Sequence, residues 1–260
     1  MRGRSLDVVG TAVIREHAFG LAAAARQVPL DTLVPTCPDW TMADLVWHLT
    51  EVELFWTHVI AERPAGPDSY DEPTRPADRE LIDGLERAAD SLVDALTGVD
   101  PTEAAWSWAD EQTVGFTLRR QSHEAVVHHV DGLIAAGLDL PAIPAEFAAD
   151  GVDEMIDVML TGVPDWARFE RRPGVIELRS RDTDDSWTLA FGRMTGTSPD
   201  SGTEYDLDAL DPVDEPPDTV VEGDAFDLHL WLNGRGELAE LSVQGDPALA
   251  HRLRAVAASL

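Results

Sequence analysis

The chain has 260 residues, 44% of them hydrophobic and eight of them tryptophan, enough for a packed core in one large domain or two ordinary ones. Its formal net charge is −30 and all 19 basic residues are arginine, so its surface repels phosphate backbones and nucleic acid is not an expected partner. No run approaches the ~18 apolar residues of a membrane span, and the single cysteine, Cys37, excludes an intrachain disulfide and an all-cysteine zinc site.

The opening "MRGRSLDVVGTAVIREH" breaks its apolar run with charges and shows no cleavage site, so a cytoplasmic location is the default expectation. Arg, Ala, Gly, Pro and Asp share GC-rich codons, which explains the composition more simply than adaptation to high salt.

Four helices are expected in the first 140 residues. Residues 5–28 carry Val9, Val13, Leu21, Ala24 and Val28 at helical spacing. "PLDTLVPTCPDW" then reads as a Pro-punctuated loop. Thr41 is placed to cap a second helix reaching about residue 62, with Asp44 completing a capping box and Trp40 and Leu45 forming a hydrophobic staple. "RPAGPDSYDEPTRP" is a loop. A third helix, about 77–97, lines up Leu81, Leu85, Ala88, Leu92 and Leu96 and ends at Gly98. The fourth runs from about 115 to Gly137, a natural C-terminal cap. Four such helices imply a bundle.

"LDLPAIPAEF" marks the boundary between a domain at 1–140 and one at 141–260. Beyond a helix at Ala145–Gly162 the period changes. "GVIELRS" and "SWTLAFG" alternate like strands joined by the turn "RDTDD", "SPDSGTEYDLDALDPVDEPPD" reads as an acidic surface loop, and "TVVEG" and "ELAELSVQG" are short strand candidates. Residues 224–234 and 246–259 look helical, the second with Asp246 as cap and Pro247 in its first turn. The fold class is therefore α+β: a four-helix bundle followed by a smaller α+β domain.

The chemistry concentrates in "RRQSHEAVVHHVDG", residues 119–132. Arg120, Glu124 and His128 lie four apart and Asp131 follows three later, so all four share one stripe of the fourth helix. A carboxylate oxygen and an imidazole nitrogen from Glu124 and His128 suit one divalent ion, Asp131 could fix the tautomer of His128, and Arg120 could pair with Glu124 or reach a substrate carboxylate. "HEAVVH" is not the zinc-protease motif: His123 and His128 are five apart, about 140° around the helix, too far to share an ion. The best third ligand is His48, which shares a face with Leu45, Val52 and Phe55, expected to be the buried face of the second helix. The blander reading of each histidine is a hydrogen-bonded structural residue. His17 and His129 could line a cavity, while His58, His229 and His251 show no matching partners.

At these residues "VPTCPDWTMADLVWHLTEV" resembles the N-terminal motif of the mycothiol-dependent maleylpyruvate isomerase family, a Pro-x-Trp-Thr loop leading to Leu-x-x-His-Leu. "RRQSHEAVVHHVDG" resembles its second motif, and "VVEGDAFDLHLWLNGR" its C-terminal domain, where a Gly-x-Ala-x-x-Leu segment ends in Gly-Arg. The resemblance covers most of the chain. It implies a DinB-like four-helix bundle, metal ligands His48, Glu124 and His128, zinc as the metal, and mycothiol as the thiol that attacks an electrophilic small molecule. Reversible thiolate addition to a cis double bond leaves a single bond that can rotate; elimination then gives the trans isomer, whereas an S-transferase stops at addition. Asp131, Arg120 and Arg235 are the remaining candidate catalytic residues, the two arginines as substrate contacts, with a domain-interface role as the equal alternative for Arg235. The competing expectation is a non-catalytic metal-binding or small-molecule-binding protein with a stress-response or regulatory role, and a third is a metal-dependent hydrolase.

Overall fold

Leucine and alanine stripes at helical spacing produce the first unit of the computed structural model, which describes residues 9–199 and 201–258. In chain order it contains α1 (Thr11–Ala25), the short strands β1 (Leu33–Val34) and β2 (Cys37–Thr41), then α2 (Met42–Glu62), α3 (Asp78–Leu96) and α4 (Val114–Ala136). The helix expected over 5–28 is shorter, and residues 5–8 of that expectation lie outside the described residues. The expected loop at 29–40 holds the antiparallel pair β1–β2, with Val34 buried and Cys37 within β2.

Local chemistry sets the helix ends. Thr41 Oγ1 accepts from the Asp44 amide at 3.3 Å while Asp44 Oδ2 accepts from the Thr41 amide at 2.9 Å, the reciprocal cap expected of this pair. Trp40 packs against the cluster that holds Leu45. Gly137 takes a left-handed conformation, φ 66°, and ends α4. Leu81, Leu85, Ala88, Leu92 and Leu96 of α3 are all buried, as their stripe requires. In α2 the buried stripe is Leu45, Val46, Leu49, Glu53, Trp56 and Ile60. The expectation that His48 sits on that buried face is corrected: His48, Val52 and Phe55 lie on its half-buried flank, because Leu45, Val46 and Leu49 turn instead into a cluster with Leu21 and Ala22 of α1 and Leu81 and Leu85 of α3.

Helices α1 and α4 cross closely through reciprocal glycines. A Cβ on Gly20 would stand 2.3 Å from the His129 ring, and one on Gly132 would stand 2.4 Å from Leu21 Cδ1. The His129 ring is held by His17 and cannot swing away as freely as a leucine methyl. Overpacking costs about 1–3 kcal/mol, while alanine's helix propensity returns up to about 1 kcal/mol. Gly20→Ala is therefore expected to lower the melting temperature, whereas Gly84→Ala on α3, whose Cβ would meet only Arg87 Nη2 at 4.0 Å, is expected to raise it. Thermal denaturation of the two variants checks both signs.

The second unit begins at Ile143, the first ending at Ala142. It contains α5 (Ala145–Glu154), continued by a π-helical turn to Leu160, then β3 (Arg168–Ser180), β4 (Ser186–Thr197), β5 (Glu204–Pro212), β6 (Thr219–Gly223), α6 (Ala225–Leu232), β7 (Ser242–Gly245) and α7 (Pro247–Ala257). The sheet order is β5-β4-β3-β6-β7; β3 and β6 run parallel and the other neighbours antiparallel. Ile176, Leu178, Leu189 and Phe191 of the sheet form one core with Val152, Leu228, Trp231 and Leu253 of the helices. Asp246 caps α7 by accepting from the Ala248 amide.

Two expectations fail here. The acidic segment 198–218 is not all loop, since it supplies the edge strand β5. Only Ala209 and Leu210 of that strand are buried, and Arg193 of β4 bonds Asp206 and salt-bridges Asp208, so charge pairing takes the place of the apolar alternation that marks a strand in sequence. In "ELAELSVQG" only Ser242–Gly245 is strand; Leu238–Glu240 is a 3-10 turn.

Candidate functional site

Two helices carry the polar centre. His48 projects from α2, while Glu124 and His128 come from successive turns of α4. One ligand atom from each of the three lies within 4.8 Å of the others. His48 Nε2 is 3.5 Å, and His128 Nε2 3.0 Å, from the same oxygen, Glu124 Oε1. Donor atoms about 3.3 Å apart are what a tetrahedral ion with bonds of about 2.0–2.1 Å requires, so these residues could hold a metal with little side-chain movement. No other group of three or more metal-ligating side chains is found among the described residues.

Each donor is held by a neighbour. Asp131 is fully buried; its Oδ2 lies 3.0 Å from His128 Nδ1 and its Oδ1 accepts from Thr36 Oγ1 at 2.5 Å. A proton on His128 Nδ1 leaves Nε2 free as a lone-pair donor. Arg120 donates to Glu124 Oε2, turning Oε1 towards the imidazoles, so of its two expected partners the arginine has taken the carboxylate. Burial alone would raise the pKa of Glu124, but the charges of Arg120 and His128 and the hydrogen bonds from the imidazoles hold it well below the usual carboxylate range. Burial would lower that of His128, yet Glu124 and Asp131 lift it to about 9.

Sequence reasoning missed what surrounds the centre. The Trp40 ring lies 4.7 Å from that of His48 and 6.3 Å from that of His128, centroid to centroid, and covers the imidazoles from β2. Beside the centre opens a cleft of about 500 Å³. Glu124, Gln121 and Arg120 line it together with Val52, Phe55 and Trp56 of α2. The inter-helix segments add Tyr70, Glu72 and Trp108. Tyr70 and Trp108 belong to stretches with no helical or strand period. The signal available was the concentration of aromatics in "AAWSWAD", where a solvent-exposed turn has no need of two tryptophans.

The other candidates fall elsewhere. His17 Nδ1 faces His129 Nδ1 at 2.9 Å across α1 and α4, one ring donating and the other accepting. Burial lowers the pKa of both, and His17 pushes His129 further, to about 4. His229 is buried in the second unit, where its ring fills the space over Gly151. Arg235 also belongs to that unit, in a turn between Gly234 and Gly236, both at positive φ, with its guanidinium donating to the Asn233 carbonyl.

The comparisons agree with this architecture. The family model "Mycothiol maleylpyruvate isomerase N-terminal domain" matches residues 12–131, and "MDMPI C-terminal domain" matches residues 146–252. A solved structure of the mycothiol-dependent maleylpyruvate isomerase aligns with a TM-score of 0.52 at 15% identity, over 90% of this chain and 91% of that one. The structure of a histidine-to-alanine mutant of that isomerase aligns equally well, with a TM-score of 0.52 at 14% identity over the same shares. At such identity the likeness is one of fold. No curated protein matches the sequence, and no helix among the described residues is long and apolar enough to cross a membrane. With both domain models matched in order along most of its length, the chain belongs to the mycothiol-dependent maleylpyruvate isomerase family.

Proposed function

We propose that this protein is a metal- and mycothiol-dependent enzyme that adds a thiol to an electrophilic small molecule, the step shared by isomerisation of the maleylpyruvate type and by S-transfer. The observation that carries the reading is the convergence of His48, Glu124 and His128 beside an aromatic cleft in a chain of this family. Two imidazoles and one carboxylate suit zinc and leave a position open for a further ligand. When bound, the ion would lower the pKa of a thiol sulfur and the thiol would supply the nucleophile.

The chain's own residues have separable roles in this reading. His48, Glu124 and His128 are the metal ligands. Asp131 holds the proton on His128 Nδ1 so that Nε2 points inward, and Thr36 holds Asp131. Arg120 fixes the carboxylate of Glu124. Trp40 shields the two imidazoles on one side, and Phe55, Trp56 and Trp108 keep water from part of the cleft.

Protein purified without chelator is expected to contain about one equivalent of zinc, and to turn over a cis-enone or another electrophile with mycothiol in preference to glutathione. Product analysis separates the two outcomes of addition: the trans alkene marks the isomerase and the stable thioether marks the transferase. Protein that stays metal-free after zinc addition rules the reading out. Tight zinc binding without activity towards either thiol assigns the protein to the non-catalytic alternative.

A further inference from the structure

The cleft beside His48, Glu124 and His128 combines three kinds of surface. One wall is aromatic. Trp108 is half exposed although its ring stands 5.6 Å from that of Trp56 and 5.3 Å from that of Phe116, so the packed cluster leaves one indole open to the cleft. An indole face is electron-rich and attracts polarised C–H groups.

The second surface is polar. Glu51 and Glu72 line the cleft. Partial burial raises the pKa of Glu51 and the charge of Glu72 adds to it, while the charges of His48 and Arg75 oppose it. Glu51 therefore stands among charges of both signs, and what it offers a ligand is acceptor lone pairs. The third surface is a buried amide. Gln121 is 2% exposed, lines the cleft, and has an amide oxygen without a hydrogen-bond partner. A ligand hydroxyl both donates and accepts, so it answers this amide whichever way it faces.

The site is also long. On α4, Gln121 precedes Glu124 by about one turn, and Phe116, which packs on Trp108, precedes it by about two, roughly 12 Å along the axis. A ligand that is anchored at the three polar donors and reaches Trp108 must outreach an acylcysteine, which spans about two residue lengths, or ~7 Å.

We infer that this cleft is the seat of the sugar and cyclitol rings of the thiol cosubstrate. With the sulfur at His48, Glu124 and His128, ring hydroxyls bond Gln121, Glu51 and Glu72, and a ring face stacks on Trp108. The inference rests on the proposed function for the choice of thiol. Mycothiol is a neutral N-acetylcysteinyl amide of a glucosaminyl inositol, so it has the length and the hydroxyls this cleft asks for. Glutathione has neither ring.

Two thiol-free probes test the inference on the full chain after zinc addition, by calorimetry and tryptophan fluorescence. One is the glucosaminyl inositol with its amine acetylated, which is neutral. The other keeps the amine free and is a cation. The neutral probe is expected to bind, and mycothiol to displace it. Trp108→Ala and Gln121→Leu should each weaken it by about tenfold or more. Both should leave N-acetylcysteine methylamide, which has the thiol and no ring, bound as in the wild type. A neutral probe that does not bind overturns the inference. So does binding of the cationic probe alone, which makes the cleft an ammonium site. Binding that mycothiol does not displace, or that neither substitution weakens, places the rings elsewhere and overturns it too. Failure of the proposed function reads out separately, as absence of zinc in metal analysis or of turnover with mycothiol, and leaves both thiol-free probes to report on the cleft.

Discussion

His48→Ala is expected to weaken zinc binding by more than about 100-fold while leaving the stability of the zinc-free protein nearly unchanged. An outer partner such as Asp131 is worth about 10–100-fold in metal affinity, and a direct donor exceeds it. His48 sits on the half-buried flank of α2, and its side chain is one-third exposed, so its truncation opens no core cavity. Glu124→Ala should behave differently. It removes a proposed metal donor and also the carboxylate that engages Arg120 and lies within reach of both imidazoles, where the side chains of Arg120 and Glu124 are only 12% and 16% exposed. Breaking a buried ion pair from one side costs about 3 kcal/mol or more, or roughly 6–12 °C in melting temperature for a chain of this size. Competition with a chromogenic chelator gives the affinities, and melting in EDTA gives the stabilities. Retention of zinc by either variant contradicts the assignment of ligands. Equal melting temperatures for the two contradict the account of Arg120.

The stripe Arg120, Glu124, His128 and Asp131 was legible because an α-helix converts spacing into direction, and four polar residues at 0, 4, 8 and 11 have no other reason to align. The cap at Thr41 was legible because it is closed within four residues. His48 comes within 3.5 Å of Glu124 from the half-buried flank of α2 and not from the core face that its phase suggests, and only the rotation of the packed helices decides between the two. Thr36 behind Asp131, Trp40 over the imidazoles, and Trp108 across the cleft depend on contacts between separate elements or on stretches without periodicity, which sequence pattern does not encode. The strand β5 was hidden for another reason. Its outward positions are acidic and answered by Arg193, so the information sits in a cross-strand pair and not in the strand.

Between pH 4 and pH 6.5 two buried features are expected to drive stability in opposite directions. His17 and His129 are kept neutral, both with pKa values lowered chiefly by burial, His129 to about 4. In the unfolded chain histidine titrates near 6.5, so below that pH the unfolded state binds protons that the folded state refuses, and stability falls as the pH falls. Glu53 acts with the other sign. It is fully buried in α2, neither carboxyl oxygen has a partner, and burial, then repulsion from Asp90, raises its pKa well above the usual value. Above about pH 4.5 the unfolded chain releases a proton that the folded protein retains, so stability falls as the pH rises. Glu53→Gln should therefore be more stable than the wild type at pH 7 and should steepen the decline towards acid. A His17→Gln, His129→Gln double variant should flatten or reverse that decline. Denaturant titrations in EDTA across this range isolate the effect, since His48, Glu124 and His128 are common to all three proteins and cancel in the differences. A Glu53→Gln protein less stable than wild type at pH 7 would show that the carboxyl is satisfied in the native state. The same result would remove the tension between two features of the bundle whose helices, α2 and α4, must also hold His48 opposite Glu124 and His128.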